Sequence, residues 1–256
     1  MPKTVLITGG TSGIGLGIAR EFAKAGYNLY LNGLEPNGEA ITAELAAAHS
    51  VAGLFSNANM LQPDAIAQMV QQGIAHFGSI DVLVCNAGIQ YVAPIDEFPA
   101  EKWEAILGIN LSSAFYLSKA VWPGMKANGF GRIINIASAH GLTASEFKSA
   151  YVAAKHGLVG LTKVLALEGA PVNINCNAIC PGYVKTPIVE KQIADQMKVH
   201  SMSEDEVVKK VMLGRQAVKD FIPVETLGKL AVFLASDAAA TLTGTALPVD
   251  GGWTAY

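Results

Sequence analysis

The sequence predicts an α/β fold: a doubly wound parallel sheet of about seven strands with helices on both faces. Three observations predict it. Short apolar, β-branched runs alternate with helical patterns along the chain, as repeated βα units require. A glycine-rich turn, Thr8-Gly9-Gly10-Thr11-Ser12-Gly13-Ile14-Gly15, stands between the first strand and the first helix. No Pro/Gly/Ser-rich or charge-rich break interrupts the 256 residues, so one domain over 1–256 is expected.

The first strand covers residues 4–8, and residues 16–23 carry a helical pattern beyond the turn. Glycines permit the tight turn and a close backbone approach, so the N–H groups that open the helix can face a pyrophosphate. Strand 28–32, helix 39–49, strand 51–55, helix 63–76 and strand 81–85 follow. One long helix is expected over about 100–127, then strand 132–137, helix 149–167 and strand 173–179. A polar helical segment at 188–213, a helix at 224–235 and a strand at 245–249 complete the chain. In such sheets ligands sit outside the carboxyl ends of the strands where strand order reverses. Gly15, Asn86, Ser138 and Pro181 fall at such ends.

The stretch from Ile136 to Lys155 carries the chemistry. Ile133-Ile134-Asn135-Ile136-Ala137 is a β-branched run of strand length, which places Ser138 just past the strand. The Ala-rich run after Ser149 favours helix, and residues four apart share a helix face, so Tyr151 and Lys155 are neighbours. A phenol titrates near 10, so its use as a base at neutral pH requires stabilising the phenolate by about 4 kcal/mol. A fixed ammonium supplies that by charge, and a hydroxyl such as Ser138 can polarise the reacting oxygen beside it. The three form a proton-transfer site for an alcohol or a ketone.

Composition narrows the partners. Hydrophobic residues make up 51% and charged residues only 15%, with a mean hydropathy of +0.33, which predicts extensive buried surface between subunits of a homo-oligomer. Net charge is −3 with no basic cluster, so no nucleic-acid partner is expected. Nor does any signal peptide or spanning apolar run appear, so the expected protein is cytoplasmic with no membrane partner. Cys85, Cys176 and Cys180 lack paired or metal-type spacing and are read as reduced packing residues; the five histidines form no metal-type pair, so no protein-bound metal is expected.

Together these residues resemble the short-chain dehydrogenase/reductase family over essentially the whole chain. The resemblance rests on Thr8-Gly9-x-x-x-Gly13-x-Gly15, Asn86-Ala87-Gly88, Asn110, Ser138, Tyr151-x-x-x-Lys155, Pro181-Gly182 with Thr186, and Asp250-Gly251-Gly252. It implies a Rossmann-type fold, with Tyr151 as acid/base and Lys155 lowering its pKa and holding the nicotinamide ribose. Ser138 would hydrogen-bond the reacting oxygen, and Asn110 would carry a water of the proton relay. It further implies a nicotinamide site lined by Gly9, Thr11, Ser12, Gly13, Ile14, Gly15, Gly33, Leu34, Asn59, Met60, Asn86, Ala87, Gly88, Tyr151, Lys155, Pro181, Gly182, Val184 and Thr186.

A narrower set of segments resembles the bacterial D-3-hydroxybutyrate dehydrogenases within that family: Asn86 to Gln90, Ile133 to Leu142, Lys148 to Gly157, Thr186 to Ile193 and Asp250 to Ala255. That likeness implies NAD-dependent oxidation of (R)-3-hydroxybutyrate to acetoacetate by a homotetramer. Gln90, His140, Lys148 and Gln192 would hold the carboxylate of the hydroxy acid or keto acid, and Ser138, Tyr151, Tyr183 and Trp253 would complete the substrate site. One cation and several neutral donors suit a small anion. Tyr183 stands where that branch carries Trp, so chain-length tolerance is expected to differ, and Asn59 stands where the wider family often has Asp.

Residues 188–213 are expected to form a helical lid that closes over the substrate. NAD is favoured over NADP because Ser12 and Leu34 offer no cation for a 2′-phosphate. Glu35 lies about the right distance from Gly15 for ribose recognition but past the expected position, and is read as solvated. Two rivals stay open: a 3-oxoacyl-carrier-protein reductase using the same Tyr151 and Lys155, and a nicotinamide-binding regulatory protein without chemistry.

Overall fold

The computed structural model describes residues 2–255 apart from 187, 188, 190–192, 194–196 and 198–201. The strands are β1 (Thr4–Thr8), β2 (Asn28–Asn32), β3 (Gly53–Ser56), β4 (Val82–Cys85), β5 (Gly131–Ile136), β6 (Ile174–Pro181) and β7 (Ala246–Val249). The helices that cover them are α1 (Gly13–Lys24), α2 (Gly38–Ala48), α3 (Pro63–Phe77), α4 (Ala100–Leu107), α5 (Ser113–Asn128), α6 (Ser149–Gly169) and α7 (Val224–Ala235). All seven strands pair in parallel in the order β3-β2-β1-β4-β5-β6-β7. The order reverses between β1 and β4, which opens a crevice beyond Thr8 and Cys85.

Alternate strand residues face opposite layers. Leu6 of β1 joins Tyr30, Leu83, Ile133, Leu117 and Leu158 in one core, beneath α3, α5 and α6. Its neighbours Val5 and Ile7 join Ile18, Phe22 and Leu227 in a second core beneath α1 and α7. Because both faces are covered, β1, β4, β5 and β6 are buried at every position, as continuous apolar runs in a parallel sheet should be.

Three boundaries differ from the sequence expectation. Strand β3 begins at Gly53, not at 51, because the Val51 N–H donates to Ala46 O and continues the end of α2. The single helix expected over 100–127 is divided by a wider π-type turn at Gly108–Ser112. There Ser113 Oγ donates to Ile109 O at 2.6 Å, and the Asn110 side chain leaves the helix for another loop; such bulges often mark functional positions. Within the expected lid, Ser203 and Glu206 form a capping box, Glu204–Glu206 makes one helical turn, and Val207–Met212 continues as a π-type turn. Gln192 and several other lid positions lie outside the described residues.

Candidate active site

Backbone and small side chains shape the start of the crevice. Gly9 has φ +60°, a left-handed conformation that favours glycine, and a Cβ on Gly15 would fall inside the Gly9 carbonyl. Asn86 Nδ2 donates to Thr8 O at 3.0 Å and Gly9 O at 3.1 Å. Thr8 Oγ1 in turn accepts from the N–H groups of Asn86 at 3.0 Å and Ala87 at 3.1 Å. These bonds tie the glycine turn to the end of β4 across the reversal. Helix α1 opens without a side-chain cap or an acidic residue in its first turn, which leaves its N–H groups and positive dipole end for an anionic ligand.

From that turn a crevice of about 790 Å³ runs past Gly9, Ser12, Gly13, Ile14, Asn86, Ala87, Gly88, Pro181, Gly182 and Thr186 to Ser138, Tyr151 and Lys155. Ile89, Tyr91, Val92, Ile136 and Ala137 also line it, and sequence reasoning did not select them. Their signal was adjacency to Asn86-Ala-Gly and to Ser138. Other expected positions do not line the crevice: Leu34 is exposed, Met60 is buried in the core, and Asn59 Oδ1 caps its own turn by accepting from Leu61 N. Thr11, Gly15 and Gly33 support the turn, with Gly33 N donating to Ser56 O.

Glu35 departs from expectation: it is half-buried, and its carboxylate accepts a hydrogen bond from Thr11 Oγ1 at the glycine turn. Burial raises its pKa, but donation from Ser12, Thr11 and backbone N–H groups outweighs that and holds it below the usual carboxylate value. A fixed negative charge therefore stands beside the turn.

The crevice continues into a pocket of about 540 Å³ that shares Ser138 and Tyr151 with it and adds His140, Lys148, Tyr183, Val184, Val189 and Trp253, with Gln90 common to both. Seven of the eight expected substrate residues thus share one pocket; the eighth is Gln192. Asp250 places Trp253 by accepting from Gly252 N, Thr254 N and Thr254 Oγ1. The Trp253 ring stacks on Tyr183 at 5.8 Å and meets the edge of His140 at 5.1 Å. Buried Gln216, which the sequence did not flag, accepts from Tyr183 N at 3.0 Å and fixes that backbone.

At the junction, Lys155 Nζ lies 5.6 Å from the Tyr151 ring centroid and donates to Ile136 O at 2.8 Å. Burial lowers its pKa to about 8. For Tyr151, burial raises the pKa, and the hydrogen bond with Ser138 opposes that rise. Asn110 faces the loop that follows β4. Its Oδ1 accepts from Ile89 N at 2.8 Å and its Nδ2 donates to Ile89 O at 2.9 Å, so its side chain braces the crevice wall.

The Lys148 ammonium has no carboxylate partner among the described residues, and burial followed by repulsion from Arg215 lowers its pKa. His140 is pushed down to about 4 by burial, Lys148, Arg215 and His156, so its ring is neutral at pH 7. Its ring nitrogens stand beside two serine hydroxyls, Ser138 at 3.4 Å and Ser145 at 2.9 Å, and the ring lines the same pocket as Lys148. Among the described residues no cluster suited to a metal ion occurs.

Comparison with known proteins agrees with this geometry. A family model described as "Enoyl-(Acyl carrier protein) reductase" matches residues 9–254. The chain is 53% identical to a D-beta-hydroxybutyrate dehydrogenase of Rhizobium meliloti, with 100% of both chains covered. A D-beta-hydroxybutyrate dehydrogenase of Cupriavidus necator is 47% identical, covering 99% of this chain and 98% of that one. A solved actinorhodin polyketide ketoreductase with NADPH superposes with a TM-score of 0.92 at 32% identity, covering 100% of this chain and 98% of the other.

Proposed function

The chain belongs to the short-chain dehydrogenase/reductase family, and from that premise we propose that it oxidises (R)-3-hydroxybutyrate to acetoacetate with NAD, reversibly. The observation that carries the substrate class is Lys148: a half-buried ammonium without a carboxylate partner among the described residues, in the same pocket as Ser138 and Tyr151. A small hydroxy acid can place its carboxylate on Lys148 and its hydroxyl on Tyr151. A carrier-bound thioester has no such charge to offer, which disfavours the acyl-carrier rival, and the complete Ser138, Tyr151 and Lys155 set disfavours a protein without chemistry.

The uncapped start of α1, the Gly9 turn and the groove to Lys155 fit a dinucleotide. Bound NAD would supply the hydride acceptor for C3 of the hydroxy acid and a positive charge near Tyr151. Tyr151, as phenolate, takes the hydroxyl proton, and Ser138 donates to the same oxygen as it becomes a carbonyl. Lys155 favours the phenolate by charge. Gln90, His140 and Lys148 hold the carboxylate, with Gln192 as a further donor. Trp253 and Tyr183 bound the alkyl end. For NAD over NADP the support is Glu35, because a 2′-phosphate brought beside its carboxylate meets like charge.

A single domain over 1–256, a lid at 188–213 and a cytoplasmic homotetramer complete the proposal. Ile193, Val207 and Met212 pack with Tyr183, which supports a lid over the substrate end. Phe115, Val164 and Leu167 leave apolar side chains exposed on α5 and α6, faces that a second subunit would cover. Initial rates with both enantiomers of 3-hydroxybutyrate and with a 3-oxoacyl thioester, each with the NAD and NADP couples, test the reading. Selective NAD reduction by the R acid supports it; thioester reduction alone would transfer the chain to the carrier-reductase class.

A further inference from the structure

Arg215 lines neither the crevice nor the substrate pocket, yet it stands against the segments that build the pocket. Its Nη1 donates to Ala144 O at 3.1 Å, on the loop that joins the short turn at Ala139–Gly141 to α6. One residue further on, Ser145 Oγ lies 2.9 Å from the His140 ring, and the same loop ends at Lys148. On the other side of Arg215, Gln216 accepts from Tyr183 N at 3.0 Å. The turn that carries Arg215 is held in place: Lys219 Nζ donates to Leu213 O and Gly214 O, both at 2.9 Å, and Val218 N donates to Gly251 O at 2.9 Å. The Arg215 charge is felt by three pocket residues, since it opposes protonation of His140 and Lys148 and favours ionisation of Tyr183.

That charge has no ion-pair partner among the described residues. Arg215 is exposed, and its side chain makes one hydrogen bond among the described residues, so most of its five donors are spare. Glu146, the acid of the loop, is also exposed and has no ion pair among them. No acidic side chain among the described residues lines the pocket. Lys148 and Arg215 therefore raise a local positive potential on a chain whose net charge of −3 would by itself repel an anion. A cleft with one sign of charge and apolar walls concentrates ligands of the opposite sign. Half-buried Lys148 is placed for contact with such a ligand, and exposed Arg215 for action at a distance.

We propose that Arg215 is a specificity-determining residue: it draws the anionic substrate toward Lys148 through the field it adds to the pocket, without touching the bound acid. The inference rests on the reading that Lys148 receives a carboxylate. An effect of this kind acts on capture and not on the turnover of bound substrate, is screened by salt, and vanishes for an uncharged substrate. The alternative is purely structural, with Arg215 only holding the loop through Ala144 O. Glutamine at this position can keep that hydrogen bond while dropping the charge.

Initial rates with (R)-3-hydroxybutyrate and with its methyl ester separate the two. They are compared in the wild type, Arg215→Gln and Arg215→Lys at ionic strengths of about 0.01 M and about 1 M, where the Debye length is about 30 Å and about 3 Å. Arg215→Gln should lower kcat/KM for the acid about fivefold at the low ionic strength and less than about twofold at the high one, with kcat and the rates on the ester unchanged. Arg215→Lys should restore wild-type behaviour. No loss, an equal loss on acid and ester, or a loss that salt does not remove overturns the proposal. A second readout needs no turnover: in carbon-13 NMR of lysine-labelled protein, the Lys148 signal, identified by its absence in Lys148→Ala, should titrate at higher pH in Arg215→Gln than in the wild type. An unchanged titration also overturns the proposal. If the wild type leaves the acid unoxidised, the substrate reading fails, and the Lys148 titration decides the inference about Arg215 by itself.

Discussion

The glycine turn keeps its shape through backbone groups and two polar side chains, Thr8 and Asn86, that lock it to a neighbouring strand. The opposite end of the crevice is assembled from side chains on separate segments carrying Gln90, His140, Lys148, Tyr183 and Trp253. The first end binds by shape and by N–H groups, which most residues at the lining positions would leave intact provided the glycines stay. The second selects by charge and side-chain identity, so single substitutions there should redirect specificity without disturbing the fold. Tyr151 and Ser138 stand where the two meet.

The largest break should come at that junction. Replacing Tyr151 by Phe removes the proton acceptor and should reduce kcat by about 10³-fold, while NAD binding, measured by fluorescence titration, stays near the wild-type value. Loss of both together would mean that the two ends are not separable. At the glycine end, Glu35→Gln removes the fixed charge and should raise kcat/KM for NADP relative to NAD by about tenfold; an unchanged ratio of initial rates would place cofactor choice elsewhere. Smaller is the effect of pH on acetoacetate reduction, in which Tyr151 acts as the acid. Lys155 is charged below about pH 8 and neutral above it, so kcat/KM should hold level up to that point and fall as pH rises further. Lys155→Arg, charged throughout, should move the fall to higher pH, and a profile identical in the two proteins would remove Lys155 from the titration.

The same contrast explains what the sequence revealed. All seven strands and the glycine turn followed from local patterns, because buried parallel strands are continuous apolar runs and a βα turn is contiguous in the chain. Tyr151 and Lys155 followed from helical spacing. The substrate pocket did not follow from spacing, because its residues meet only through the fold; Gln90, His140, Lys148, Tyr183 and Trp253 were found through resemblance. Gln216 fixes the Tyr183 backbone from behind the site, and no local pattern marks such a role. The division of the helix at Gly108–Ser112 was hidden because a π-type turn preserves the helical pattern around it. Helical spacing shows the charge of Lys155 beside Tyr151 but not the burial of the phenol, which raises its pKa.

Central to the proposed reaction is that Lys148 recognises a carboxylate while Tyr151 takes the proton. The measurement that reaches it most directly is kcat/KM for (R)-3-hydroxybutyrate against its uncharged methyl ester, in the wild type and in Lys148→Ala. The wild type should prefer the acid by about 100-fold, and the variant should lose most of that preference while oxidising the ester at a similar rate. An acid-to-ester ratio that is the same in both proteins would contradict it.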